Sequence, residues 1–115
     1  MINFKYRFHG HGSLAYLYRN GKIERSNFLT VKYLPNQRRQ LSRFSVVVSK
    51  KITKKAVVRN RIRRRIYEII RQEIPNIKSV YDVVIIINSL EINQLAYLEL
   101  KSKIINLFQK ADLLD

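Results

Sequence analysis

The sequence predicts an α+β fold, a small sheet with helices packed mainly on one face. Three observations predict it. Residues 55–73 and 94–111 repeat apolar side chains at helical spacing. Residues 27–34, 43–49 and 80–88 are rich in β-branched and aromatic side chains and either alternate or run apolar. The chain has 115 residues, 46% of them apolar or aromatic, and neither a repeat nor a linker-like stretch. That is about the length of one domain, so residues 1–115 are read as a single unit.

The elements follow in order. Residues 12–20 (GSLAYLYRN) read as a short helix, with Ser13 as N-cap and Leu14, Leu17 and Tyr18 on one face. Gly21 follows as its stop. Ile23 to Ser26 suits a short strand. Residues 27–34 place Leu29, Val31 and Tyr33 on one face and Phe28, Thr30 and Lys32 on the other. Pro35 and Asn36 end that strand, and the polar stretch to Ser42 reads as a loop closing a hairpin with residues 43–49. There Phe44, Val46 and Val48 share a face.

Residues 55–73 carry a narrow apolar stripe of Val58, Ile62, Ile66 and Ile69, with Ile70 at its edge and Glu73 in line. Pro75 terminates this helix. Residues 80–88 (VYDVVIIIN) form a near-continuous β-branched run, the pattern of a strand buried on both faces. The last helix, 94–111, presents Leu95, Leu98, Ile105 and Phe108, with Leu100, Ile104 and Leu107 nearby.

Composition excludes several chemistries. There is no Cys, so no disulfide scaffold, thiolate metal site or Cys nucleophile. The longest apolar run, Val83 to Ile87, is far too short to span a membrane. No secretory signal is expected in the first 20 residues, and a reducing, cytoplasmic setting is the expectation. The two histidines, His9 and His11, lack the partners of a metal or acid–base site. No acidic pair has the spacing of a two-metal cluster, so no catalytic residue and no metal site is expected on the chain itself.

The formal net charge is +15. It is concentrated: residues 38–71 hold thirteen basic and one acidic side chain, whereas residues 72–115 hold four basic and six acidic. Such a local field is the footprint of a phosphate-binding surface. With successive residues about 100° apart around the 55–73 helix, Arg59 and Arg63 flank the apolar stripe on one side. Arg61 and Arg65 flank it on the other, and Asn60, Arg64 and Arg71 cover its back. Lys50, Lys51, Lys54 and Lys55 crowd the preceding turn, beside the free backbone N–H groups of the helix start. One carboxylate, Glu68, is within helical reach of Arg64 or Arg65 and cannot neutralise five arginines. An external anion is therefore implied, and the planar guanidinium fork suits phosphate and base stacking. Tyr16, Tyr18, Phe28 and Tyr33 add aromatic faces near this segment.

The run SKKITKKAVVRNRIRRRIYEIIR, from Ser49 to Arg71, strongly resembles the signature of the bacterial ribonuclease P protein component. The resemblance is carried by Arg59-Asn60-Arg61, Arg63-Arg64, Lys50-Lys51 and Ala56, with RFHGHGSLAYLYRNGK and YDVVIIIN in the expected order. Two departures stand out. Arg65 replaces an apolar residue after the basic pair, and Tyr67 replaces an Arg before Glu68. Leu14 stands where the family has its first helix aromatic, and Lys32, with Tyr33 beside it, where the sheet has one.

The resemblance implies an α-β-β-β-α-β-α sandwich, ribosomal protein S5 domain 2-like, with a left-handed crossover. It implies a partner catalytic RNA, contacted by Lys50, Lys51, Lys54, Lys55, Arg59, Asn60, Arg61, Arg63, Arg64 and Arg65. It further implies a cleft for the 5′ leader of precursor tRNA, with Leu14, Tyr18, Phe28, Lys32 and Tyr33 as candidates. Hydrolysis would use Mg²⁺ held by the RNA. Apart from the resemblance, the net charge of +15 makes a monomer the expectation when no RNA is present. The competing reading is a generic basic RNA-binding module, such as a ribosomal or assembly protein, without a role in tRNA cleavage. A protein-only nuclease lacks the carboxylates, and a DNA-binding helix lacks the dimerisation or helix-turn-helix pattern.

Overall fold

The structure, a computed structural model, describes residues 3–8 and 11–115, apart from the side chains of Phe4 and His11. His9, and any role of the His11 imidazole, thus lie outside the described residues. The elements are α1 (His11–Asn20), β1 (Lys22–Arg25), β2 (Leu29–Pro35), β3 (Arg43–Val47), α2 (Ala56–Glu73), β4 (Tyr81–Ile87) and α3 (Tyr97–Lys110). Short 3-10 turns occupy Phe4–Tyr6, Ile74–Asn76 and Leu90–Gln94.

Helix α1 already begins at residue 11, so Ser13 is an exposed residue of its first turn and not its N-cap. Its end is as expected. The Gly21 N–H donates to the Leu17 carbonyl at 2.8 Å. A Cβ on Gly21 would stand 2.6 Å from that same oxygen, so only glycine fits this close approach.

The sheet order is β1-β2-β4-β3. β1 and β2, and β2 and β4, pair antiparallel; β3 and β4 pair parallel. The hairpin expected between residues 27–34 and 43–49 is therefore absent, because β4 lies between them. The reason is in β4 itself. It is apolar on both faces and gains most as a central strand, hydrogen-bonded on both edges. The loop after β2 then has only two strand spacings to cross, about 10 Å. The parallel β3–β4 pair needs a long crossover, and α2 supplies it.

One sheet face carries Leu29, Val31, Tyr33, Phe44, Val46, Val48, Val83, Ile85 and Ile87 into the main core. Helix α2 adds Ile62, Ile66, Tyr67, Ile69 and Ile70, and α3 adds Leu100, Ile104, Leu107 and Phe108. The other face holds a smaller cluster of Phe8, Leu17 and Val84, flanked by Leu14, Leu34, Val47 and Ile86. So α1 covers one face and α2 with α3 the other.

β3 is a sheet edge, and two of its outer polar groups are satisfied by other parts of the chain. The Phe8 N–H donates to the Phe44 carbonyl at 2.8 Å, and Arg7 forms a parallel bridge with Phe44. The Val46 N–H donates to the buried Tyr67 hydroxyl at 3.1 Å.

The C-terminal helix is shorter than the apolar pattern suggests. Leu95 precedes it, and Leu98, expected on its buried face, is 76% exposed. The helix closes with Asp112 at φ 61°, the Leu113 N–H donating to Phe108 O and the Asp112 N–H to Gln109 O. This is a Schellman closure with Asp in the place glycine usually takes.

Candidate nucleic-acid interface

Helix α2 sits on the core through its stripe, and its arginines divide into two sets. On one flank, Arg59 donates through Nη1 to the Thr53 carbonyl at 3.0 Å. That bond ties the turn bearing Lys50, Lys51, Lys54 and Lys55, all exposed, to the helix. Arg63 is half-buried and bonds Asn60 one turn away, while Arg64 is exposed. On the other flank, Arg61 donates to the carbonyl of Asn93 at 2.9 Å and also to its side-chain oxygen. Arg65 donates through Nη2 to the Leu95 carbonyl. Its Nη1 is buried with no acceptor among the described residues. Burial, with Arg61 close by, lowers the pKa of Arg65 from the ordinary arginine value. These two arginines bind the 90–95 segment to α2.

Glu68 pairs with Arg71, and not with Arg64 or Arg65 as helical reach alone would allow. Among the described residues Arg71 is the one α2 arginine in an ion pair. The helix also starts bare. Lys55 is in extended conformation with no side-chain cap, and no acid lies in the first turn. Its first N–H groups therefore add positive potential to the lysines around them.

The two departures in the central run now have structural places. Arg65 works on the protein's own backbone. Tyr67 turns inward, where its hydroxyl seals the β3 edge and its ring lies 5.3 Å from the Arg7 guanidinium carbon. Arg7 was not singled out in the sequence. Its one signal there is its place directly before Phe8, in the segment that joins the β3 edge.

Of the five cleft candidates, the structure brings three together. The Lys32 ammonium lies 5.0 Å above the Tyr18 ring and donates to the Tyr18 carbonyl at 3.1 Å, at the negative end of α1. Tyr18 remains 38% exposed, and partial burial raises its pKa above the ordinary tyrosine value. Leu14 packs in the cluster beneath α1. The sheet register puts Thr30, Lys32, Ser45, Val47 and Ile86 on this same face.

The other two candidates lie elsewhere. Tyr33 faces the main core, edge-on to Tyr81, because the face alternates at every residue of the strand. Burial, then the charge of Glu24, raises its pKa. Phe28 precedes β2, escapes its alternation, and packs towards α3 under the Lys103 ammonium at 4.8 Å. Sequence reasoning missed Asn88, whose amide donates to the Thr30 hydroxyl at 2.7 Å on the cleft face. A polar residue directly after the aliphatic run Val83 to Ile87 was the available signal.

Lys50 lies three residues beyond the end of β3, within about 10 Å of the sheet. Exposed guanidinium groups, uncapped helix N–H groups and an exposed tyrosine ring suit a folded polyanion with a single-stranded extension. Among the described residues no three His, Cys, Asp or Glu side chains converge. No helix there is long and apolar enough to cross a membrane.

Comparison with known proteins points the same way. The family model described as Ribonuclease P matches residues 3–112. A ribonuclease P protein component of Clostridium botulinum is 40% identical over 97 residues, covering 84% of this chain and 85% of that one. One from Clostridium kluyveri is 36% identical over 110 residues, covering 94% and 96%. One from Synechocystis is 42% identical over 71 residues, 62% of this chain and 57% of its own length. The RNase P protein of Thermotoga maritima superposes with a TM-score of 0.81 at 25% identity, over 90% of this chain and 96% of that one. For the Staphylococcus aureus protein the TM-score is 0.85 at 22% identity, over 96% and 98%, a likeness of fold. With the family matched over nearly the whole length and the fold shared throughout, this chain belongs to the bacterial ribonuclease P protein component family.

Proposed function

We propose that this chain is the protein subunit of a ribonuclease P ribonucleoprotein that removes the 5′ leader of precursor tRNA. The observation that carries the reading is α2. Between residues 59 and 65 it bears five arginines, none in an ion pair among the described residues. In this reading Lys50, Lys51, Lys54, Lys55, Arg59, Asn60, Arg63 and Arg64 face the catalytic RNA. Arg61 and Arg65 serve mainly to hold the surface together. The cleft beside α1 takes the single-stranded leader, with Tyr18 offering a stacking face and Lys32 a charge.

The phosphodiester chemistry belongs to Mg²⁺ on the RNA. This chain's donors do not suit that ion: its buried carboxylate, Asp82, is already held by Arg43 and Asn36. The protein's part is to bind, orient and screen charge, which lowers the Mg²⁺ concentration the RNA needs.

The test is cleavage of a precursor tRNA at low Mg²⁺ by a bacterial ribonuclease P RNA, with and without this protein. Correct 5′ processing should depend on the protein. The triple substitution Arg59→Gln, Arg63→Gln, Arg64→Gln should abolish the stimulation and flatten the salt dependence of RNA binding by about 2 to 3 units of slope. Tight RNA binding with no stimulation by any such RNA would favour a generic RNA-binding module.

A further inference from the structure

Helix α1 has two flanks, and only one borders the cleft. Tyr18 lies on that flank. Tyr16 points away from it, over a groove of about 650 Å³ between α1 and the loop after β2. Leu34, Asn36, Arg38, Arg43 and Asp82 line the rest. The volume is in the range of small-ligand sites.

The floor of this groove is built and held in place. Arg43 and Asp82 are register partners on β3 and β4. Their side chains pair bidentately, Nε to Oδ1 at 2.8 Å and Nη2 to Oδ2 at 2.7 Å, and are 13% and 12% exposed. Asn36 donates to the same carboxylate at 2.9 Å, and the Phe8 ring lies 4.2 Å from the Arg43 guanidinium carbon. Little ordering remains to be done when a ligand arrives. The wall is the reverse, open and unused. Tyr16 is 57% exposed and joins neither apolar cluster of the described residues. Arg38 and Arg39 are exposed on a loop, residues 36–42, that contains no acid.

We propose that this groove is a second nucleotide site, taking one or two residues of single-stranded RNA, separate from the cleft beside Tyr18. The inference rests on the reading of the chain as RNA-binding. Each part of a nucleotide has a counterpart. A base stacks on Tyr16, a phosphate meets Arg38, and the edge of the base meets a floor that offers both donors and an acceptor. A free phosphate has no use for Tyr16. The side chains of an acidic peptide only accept, and their charge would be repelled by Asp82. Bases carry donors and acceptors together, and their faces stack on any aromatic ring.

The experiment uses the full chain and hexauridylate carrying 4-thiouridine. Cross-links are mapped by mass spectrometry, and affinity is read by fluorescence anisotropy in a Tyr18→Ala background that weakens the cleft. The expected result is a cross-link at Tyr16 and an affinity about fivefold or more weaker after Tyr16→Ala. Arg38→Ala should shallow the salt slope by about 1. Unchanged affinity in both variants, or cross-links absent from the groove, overturns the proposal. So does displacement of the oligonucleotide by hexaglutamate at equal concentration. Binding of ribonuclease P RNA is measured in parallel. If that RNA binds with a steep salt dependence while the groove stays silent, the groove proposal falls and the RNA-binding reading stands. If neither RNA binds, both fall.

Discussion

The two flanks of α2 carry the same side chain and use it differently. Arg59 and Arg63 bond to the turn before the helix or to the helix itself, and the exposed Arg64 has no such bond among the described residues, so this flank leaves its charge unpaired. Arg61 and Arg65 reach across to carbonyl groups of the 90–95 segment and tie it to the helix, Arg65 half-buried and Arg61 at the surface. Charge at a position is a property of the residue. Availability for a phosphate depends on which backbone acceptors the fold has brought alongside. Five arginines in seven residues are thus two devices, an interface and a clasp.

The contrast can be broken at its base. Ile66 is fully buried in the stripe between the flanks, and Ile66→Asp places an unpaired carboxylate there. The expected loss is about 4 kcal/mol or more, enough to unfold a domain of ordinary stability, and a urea titration measures it. A smaller and more selective effect separates the flanks. Arg65→Ala should cost about 2 kcal/mol by removing a charged hydrogen bond, while the salt slope of RNA binding stays unchanged. Arg64→Ala should do the opposite, leaving the melting curve in place and shallowing the slope by about 1. Equal behaviour of the two variants would erase the distinction.

How much of this was legible beforehand depended on range. The stripe of α2, the alternation of β2 and the both-faces burial of β4 are local patterns, and each was readable. Strand pairing was not. A short polar loop between two strand-like segments reads as a hairpin, and nothing near residue 40 reveals that residues 81–87 will come between them. In the cleft the uncertainty was a single residue. Lys32 and Tyr33 are adjacent, yet one meets Tyr18 beneath α1 and the other enters the core, because the face changes at each step. The clasp was unreadable too, since Asn93 and Leu95 announce no affinity for guanidinium. They merely present carbonyl groups that a 3-10 turn leaves unpaired.

Tyr67 sharpens the contrast further. It follows Arg63 by one helical turn yet points inward to the Val46 N–H. Tyr67→Phe keeps the ring and orphans that donor, with an expected cost of about 1 kcal/mol. Hydrogen exchange at Val46 should accelerate with it. Unaltered protection there would show that the hydroxyl does not guard the edge.

The smallest effect concerns Arg71, which has its own anion. Its hydrogen bond holds the Glu68 carboxyl below the ordinary 4.5. A depressed carboxylate pKa stabilises the fold above the unfolded value, and that contribution disappears as pH falls through the folded one. Both groups are exposed, so the effect should be slight and should fade in salt. A carbon-detected NMR titration of Glu68 should show the low midpoint and its return towards the ordinary value in Arg71→Gln. An ordinary midpoint in the unsubstituted protein would mean that Arg71 stands as open to an external phosphate as Arg64 does.

The position of β4 has a consequence in time. Three of the four strands precede α2, but the strand that joins β2 to β3 is made last. Forty residues separate Val47 from Ile87, an interval of about 2 to 8 s at ordinary rates of translation. During it the growing chain carries aliphatic strands with no central partner, the condition under which nascent chains associate. Within that interval residues 48–71 emerge, ten basic side chains against one acidic. Like charge at that density keeps neighbouring nascent copies apart. The segment that will later seek an RNA thus first protects its own unfinished sheet.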